Sequence, residues 1–171
     1  MLKTFMAGAM ALGLVAGTAT TASAETIVMK LKCGPVHIKP FMALAPGHVK
    51  RISSLAKKGF YNGIVFHRVI AGFMAQTGDP TGTGRGGSKL PDLKAEFNRV
   101  PFDRGIVGMA RSTSPDSANS QFFIMLAQKH HLNQKYTAFG KVTKGMDCVD
   151  KIHKGEPPAR PDKILKMTVQ K

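Results

Sequence analysis

The sequence predicts a mainly β fold, a single closed antiparallel barrel capped by two α-helices, and three observations predict it. Short runs of β-prone residues recur along the chain, each bounded by Gly, Pro or Asn. Helical spacing of apolar residues is confined to two stretches. The length suits one domain with its own core, and neither an internal repeat nor a linker divides it.

The elements follow in order. ETIVMKLKCGPVHIKPF, from Glu25, holds two β-prone runs joined by Cys33-Gly34-Pro35 and reads as an opening hairpin. In LAPGHVKRISSLAKKGFYNG, Val49, Ile52, Leu55 and Ala56 fall at helical spacing between Pro46-Gly47 and Gly59, which predicts one amphipathic helix. IVFHRVI and GFMAQT read as strands broken at Ala71-Gly72, and GDPTGTGRGGSKLPD as a long glycine-rich loop. GIVGMA, QFFIML and TAFGKVT are further strands, GMDCVDKIHK a second short helix, and ILKMTVQK a terminal strand. Many short strands with turn signals between them favour closure into a barrel.

Residues 1–24 carry one cation, Lys3, an apolar run from Phe5 to Val15, and small residues ending Ala22-Ser23-Ala24. This pattern is that of a secretory signal peptide cut after Ala24, with 25–171 as the mature domain. The apolar run is well short of the roughly 20 residues of a spanning helix, so no membrane span is expected after cleavage. Export places the mature chain in the periplasm. There Cys33 and Cys148 would meet oxidising conditions, so one disulfide is possible; two separately buried thiols are favoured, because a domain of this length builds a core without a staple. The formal net charge is +15. It speaks to solubility and loose attraction to anionic surfaces, not to fold.

Several motifs fall away on inspection. GTGRGG, from Gly82 to Gly87, lacks the Lys followed by Ser or Thr of a phosphate loop and reads as a flexible surface loop. None of the six histidines sits at a metal-ligand spacing, so no metal and no cofactor are expected. SPDSANSQFFIM, Ser114 to Met125, is serine-rich but has no GxSxG. In its strand, Gln121 and Phe123 share a face.

FHRVIAGFMAQTGDP, Phe66 to Pro80, sets one arginine, Arg68, in an apolar stretch that ends in Gln76. With Phe73, Met74, Gln121 and Phe123 these residues supply a cation, two amides and an apolar surface, but no acid, base or nucleophile. Such a set suits a reaction that breaks no covalent bond, and rotation about the peptide bond before proline is one. Amide resonance raises a barrier of roughly 18–20 kcal/mol there. At the twisted transition state the proline nitrogen becomes pyramidal and accepts a hydrogen bond, which a guanidinium can donate.

FHRVIAGFMAQTGDP, GMAR, SQFFI, AFGKV and the following GMD, in this order over 25–171, resemble the cyclophilin peptidyl-prolyl cis-trans isomerases, and the short loops resemble the bacterial exported branch. The resemblance implies an eight-stranded antiparallel barrel with two helices, and an isomerase that assists folding of exported proteins. It carries the catalytic arginine to Arg68 and the proline pocket to Phe73, Met74, Phe123 and Leu132. Gln76 and Gln121 match the amides that hold the arginine and the substrate backbone. Ala110 and Arg111 match the strand edge that pairs with the peptide; Arg111 stands for a frequent asparagine and serves through its backbone. Tyr136 stands where many members have histidine. His131 stands where several eukaryotic members have the tryptophan that donates its indole N–H to cyclosporin, which implies weak inhibition by that drug. Strand alternation puts Phe73 opposite Met74 and Gln76, so a bulge at Ala71-Gly72 is expected to re-aim it.

Proline-containing peptides and unfolded exported proteins are the expected partners of a monomer. A binding module that only holds proline segments would have no use for Arg68. Specific nucleic-acid binding is disfavoured, because the lysines are scattered and no stacking-aromatic motif appears.

Overall fold

The computed structural model describes residues 25–171; the leader expected over 1–24 lies outside the described residues. Its strands are β1 (Thr26–Lys30), β2 (Pro35–Pro40), β3 (Arg68–Ile70), β4 (Met74–Thr77), β5 (Ile106–Met109), β6 (Phe122–Met125), β7 (Ala138–Lys144) and β8 (Lys166–Gln170). Helix α1 spans Pro46–Lys57 and α2 Met146–Asp150. All pairings are antiparallel, and the strands form one curled sheet in the order β3-β4-β6-β5-β7-β2-β1-β8.

Local patterns explain the pieces. Alternation in β1 and β2 buries Ile27, Met29, Val36 and Ile38, and the hairpin register pairs Ile27 with Ile38 and Met29 with Val36. Helix α1 starts on Pro46, where the missing N–H costs nothing, and buries Val49, Ile52, Leu55 and Ala56. Its N-cap, Ala45, has no acceptor side chain. Glu96, from the long 78–105 connection, takes that role: its carboxylate accepts the N–H of Gly47 at 2.9 Å and of His48 at 3.0 Å.

The sheet is open, not the closed barrel that was expected. Its edges are β3 and β8, which share no ladder. Segment 155–164 lies between them and touches the β3 side through the isolated bridges Val69–Gly155 and Val65–Lys163. Pro157, Pro158 and Pro161 fall in this segment and have no N–H to give, so a continuous ladder cannot form along it.

The free thiols that were expected are absent as well: Cys33 and Cys148 form a disulfide with Cα atoms 5.4 Å apart. The β2–β7 register causes the meeting. It pairs His37 with Lys144, so α2, which follows β7, lies beside the β1–β2 turn.

Two apolar clusters flank the sheet. Along β6, Phe122 and Ile124 enter the main core with Tyr61, Phe66 and Phe139, whereas Phe123 and Met125 face a second cluster with Met74, Phe102, Ile106 and Leu132. All four residues of β6 are therefore buried, which is why QFFIM carries no polar alternation. The second cluster is the floor of the site. No helix among the described residues is long and apolar enough to cross a membrane.

Candidate active site

Arg68 opens β3 and pairs with Gln76 across an unbroken register, followed by Val69 with Ala75 and Ile70 with Met74. The bulge expected at Ala71-Gly72 does not occur. A three-residue turn, Ala71 to Phe73, joins the strands instead, with Gly72 at φ +65°, a conformation that favours glycine. Phe73 thus precedes β4, and strand alternation does not govern its direction. Its N–H donates to Ile70 O at 3.1 Å and its carbonyl accepts from Leu126 N at 2.8 Å, which holds it beside the second cluster.

Nine of the eleven residues expected of the site line one cavity of about 270 Å³. Met74, Phe123 and Leu132 are buried and form its apolar base. Phe123 stacks on Phe102 at 5.8 Å between ring centroids, and Tyr136 meets Phe123 edge-on at 5.8 Å. Gly108 permits this stack, because a Cβ there would lie 2.6 Å from both the Phe102 and Phe123 rings. Arg68, Phe73, Gln76, Ala110 and Arg111 complete the wall.

The polar groups are arranged differently from the expectation. Gln76 does not hold Arg68; its Nε2 donates to Gln121 Oε1 at 2.9 Å. Gln121 in turn donates to Gly84 O at 3.0 Å and Gly86 O at 2.8 Å, and it borders the neighbouring cavity instead of the apolar one. Arg68 is held by Glu156, whose carboxylate accepts from Nε at 2.8 Å. The arginine's carbon lies 6.0 Å from the Phe73 ring centroid. Nothing in FHRVIAGFMAQTGDP points to Glu156, which is 88 residues away.

Ala110 N–H donates to Gln121 O at 3.0 Å, while its carbonyl has no partner among the described residues. Arg111 acts through its side chain as well as its backbone. Its guanidinium sits 4.6 Å from the Tyr136 ring centroid and donates to Lys135 O at 2.9 Å and Ser112 O at 2.9 Å, which braces that wall. His131 is exposed in the short 3-10 turn His130–Leu132, its ring 6.3 Å from Phe73, at the rim and not in the lining.

A second cavity of about 490 Å³ adjoins the first and shares Gln76, Ala110 and Arg111 with it. The glycine loop forms its far side, and this loop is tied down, not the flexible segment that was expected. Buried Asp79 accepts Thr81 N at 2.7 Å, Thr81 Oγ1 at 2.8 Å and Gly84 N at 2.6 Å. Burial pushes its carboxyl up, but the hydrogen bonds from Thr81, Gly86 and Gly84 prevail and hold it down at about 2. Sequence inspection missed Asp79; the signal was an Asp two residues before a Thr at a Gly-Asp-Pro turn.

Next to Arg68, burial pushes the His67 imidazole down, with Asp79 opposing and Arg68 assisting, so it is neutral near pH 7. Among the described residues, Cys33, Asp147 and Cys148 bring ligand atoms within 4.8 Å of one another, but both sulfurs are spent in the disulfide. The cavity therefore offers a fixed cation beside an apolar slot, an arrangement able to seat a small ring and donate a hydrogen bond next to it.

Residues 26–169 match the sequence profile of the family described as cyclophilin type peptidyl-prolyl cis-trans isomerase/CLD. A probable peptidyl-prolyl cis-trans isomerase of Brucella abortus (strain 2308) is 48% identical over an alignment 189 positions long, gaps included, covering 99% of this chain and 96% of the relative. Peptidyl-prolyl cis-trans isomerase-like 3 of Rattus norvegicus is 41% identical over 133 residues, 75% of this chain and 82% of the relative. Among solved structures, a Cryptosporidium parvum cyclophilin type peptidyl-prolyl cis-trans isomerase, crystallised in the presence of the dipeptide Ala-Pro, superposes with a TM-score of 0.79 at 29% identity, covering 85% of this chain and 99% of that one. Cyclophilin AquaCyp293 from Hirschia baltica gives 0.77 at 27% identity, over 84% and 73% of the two chains.

Proposed function

We propose, on the premise that this chain belongs to the cyclophilin-type peptidyl-prolyl cis-trans isomerases, that Arg68 is the group that lowers the X–Pro barrier and that the clients are exported proteins. The observation that carries the first part is the placement of Arg68 on the same cavity as Met74, Phe123 and Leu132. A proline ring seated on that base keeps one side of the peptide bond still while the other turns. The planar amide nitrogen accepts no hydrogen bond, whereas the twisted one does, so donation from Arg68 strengthens only as the bond rotates. A proline ring that fills the apolar slot would displace water from beside the bond and strengthen it further. The Ala110 carbonyl, without a partner among the described residues, offers the incoming backbone an acceptor.

One preorganised donor of this kind supplies roughly 3–4 kcal/mol, about two to three powers of ten in rate. Arg68→Ala is expected to fold normally, since Arg68 is 40% exposed, and to lose turnover by roughly 10²- to 10³-fold in a protease-coupled assay on a short X–Pro peptide. Near-native turnover, with the fold checked by circular dichroism, would sink the mechanism.

Export to the periplasm is supported by the leader-like residues 1–24 and by the Cys33–Cys148 disulfide, which persists in oxidising compartments. In that setting the partners are proline-containing segments of unfolded proteins, met by a monomer.

A further inference from the structure

We infer that Glu156 is a positioning residue for Arg68, aiming its guanidinium so that the terminal Nη groups are left for the peptide. The inference rests on Arg68 being the donor and concerns how that donor is aimed.

The backbone itself places Glu156. Val69 and Gly155 form an isolated antiparallel bridge closed by reciprocal N–H···O bonds of 2.8 Å each. The next pair outward in that register is Arg68 opposite Glu156. The contact is thus a cross-strand pair held by main-chain bonds, not a chance meeting of two long side chains. Glu156 accepts from Nε at 2.8 Å and is the one carboxylate bridged to Arg68 among the described residues. A guanidinium is planar, with its donors in a fixed fork. Tying Nε therefore sets the plane and turns the Nη1–Nη2 edge away from the carboxylate. Neither Nη has a protein partner among the described residues, and Arg68 lines the apolar cavity.

The carboxylate also damps the positive charge, which opposes the gain from aiming. Exposure decides between the two. Arg68 and Glu156 side chains are 40% and 50% exposed, so water screens the charge effect, and the pair adds little to folding stability. The geometric constraint is not screened. Because the base of Met74, Phe123 and Leu132 does not involve Glu156, its removal should act on kcat and spare KM.

The test uses the intact domain. Glu156→Ala is expected to lower kcat by roughly three- to tenfold with KM within about twofold, and Glu156→Gln, which keeps a carbonyl acceptor, to recover most of the loss. In an Arg68→Lys background, which has no Nε–H donor, Glu156→Ala should change nothing further. A readout independent of turnover is the Arg68 Nε–H nitrogen resonance, protected from exchange in the native protein and unprotected in Glu156→Ala. Native or faster turnover in Glu156→Ala, or an equal loss in the Arg68→Lys background, would overturn the positioning role. Native turnover in Arg68→Lys itself would instead remove the donor reading on which the role depends.

Discussion

His131 shows how a single side chain can stand at the rim of a cavity without lining it. It is exposed in a 3-10 turn, with its ring 6.3 Å from Phe73, and lines neither cavity. On the proposed mechanism, peptide turnover would draw on Arg68 and the buried base, whereas a large inhibitor such as cyclosporin would spread over the rim. Histidine there offers less apolar area than tryptophan. We expect an active isomerase that cyclosporin inhibits weakly, with His131→Trp binding the drug more tightly at nearly unchanged turnover. A paired inhibitor titration checks this, and a tryptophan variant no more sensitive than its parent would remove His131 as the determinant. The residue that sets the base geometry is silent by contrast: Gly108 has no side chain, and the Phe102–Phe123 stack exists because of that.

At the level of elements, two carboxylate anchors, half-buried Glu96 and buried Asp79, organise what the strands do not. Glu96 caps α1 from 49 residues away, and Asp79 ties the loop that walls the second cavity. The Asp79 carboxyl titrates at about 2 in the fold against an ordinary value of 3.8. Its folded pKa lies below its unfolded one, so its stabilisation is complete above the ordinary carboxylate range and disappears as pH falls through about 2. Asp79→Asn should therefore lose about 2 kcal/mol at pH 7, and the gap between native and variant proteins should narrow as the pH is lowered from about 4 to 2. Urea unfolding at a series of pH values measures it, and a gap independent of pH would refute the assignment. Glu96 shifts in the same direction, burial being outweighed by the His48 side-chain and backbone bonds, so acid weakens the α1 start as well.

For the whole molecule, the disulfide closes a sequence separation of 115 residues, from the β1–β2 turn to α2. A loop of that size restricts the unfolded chain strongly, and replacing both cysteines by serine should cost roughly 2–5 kcal/mol. Turnover at room temperature should be unaffected, since the disulfide borders a cavity that shares no residue with the apolar slot. If the chain is exported as proposed, mass spectrometry of the periplasmic protein will find a chain beginning at Glu25 and lighter by two hydrogens than its reduced form. A chain that retains Met1, or one with two titratable thiols, would contradict this.

Local rules were legible in the chain. The opening hairpin, α1 with its apolar stripe, the eight strand segments and the cluster Arg68, Phe73, Met74, Gln76 and Phe123 follow from spacing, turn residues and the resemblance of contiguous motifs. The tertiary structure alone decided the rest: the open sheet, Cys33 against Cys148, Glu96 beneath α1, Gln76 on Gln121 and Glu156 on Arg68. Each of these joins residues distant in sequence. A pattern of period 2 or 3.6 states which face a side chain takes, but which strand lies alongside, and in what register, emerges only when the faces pack.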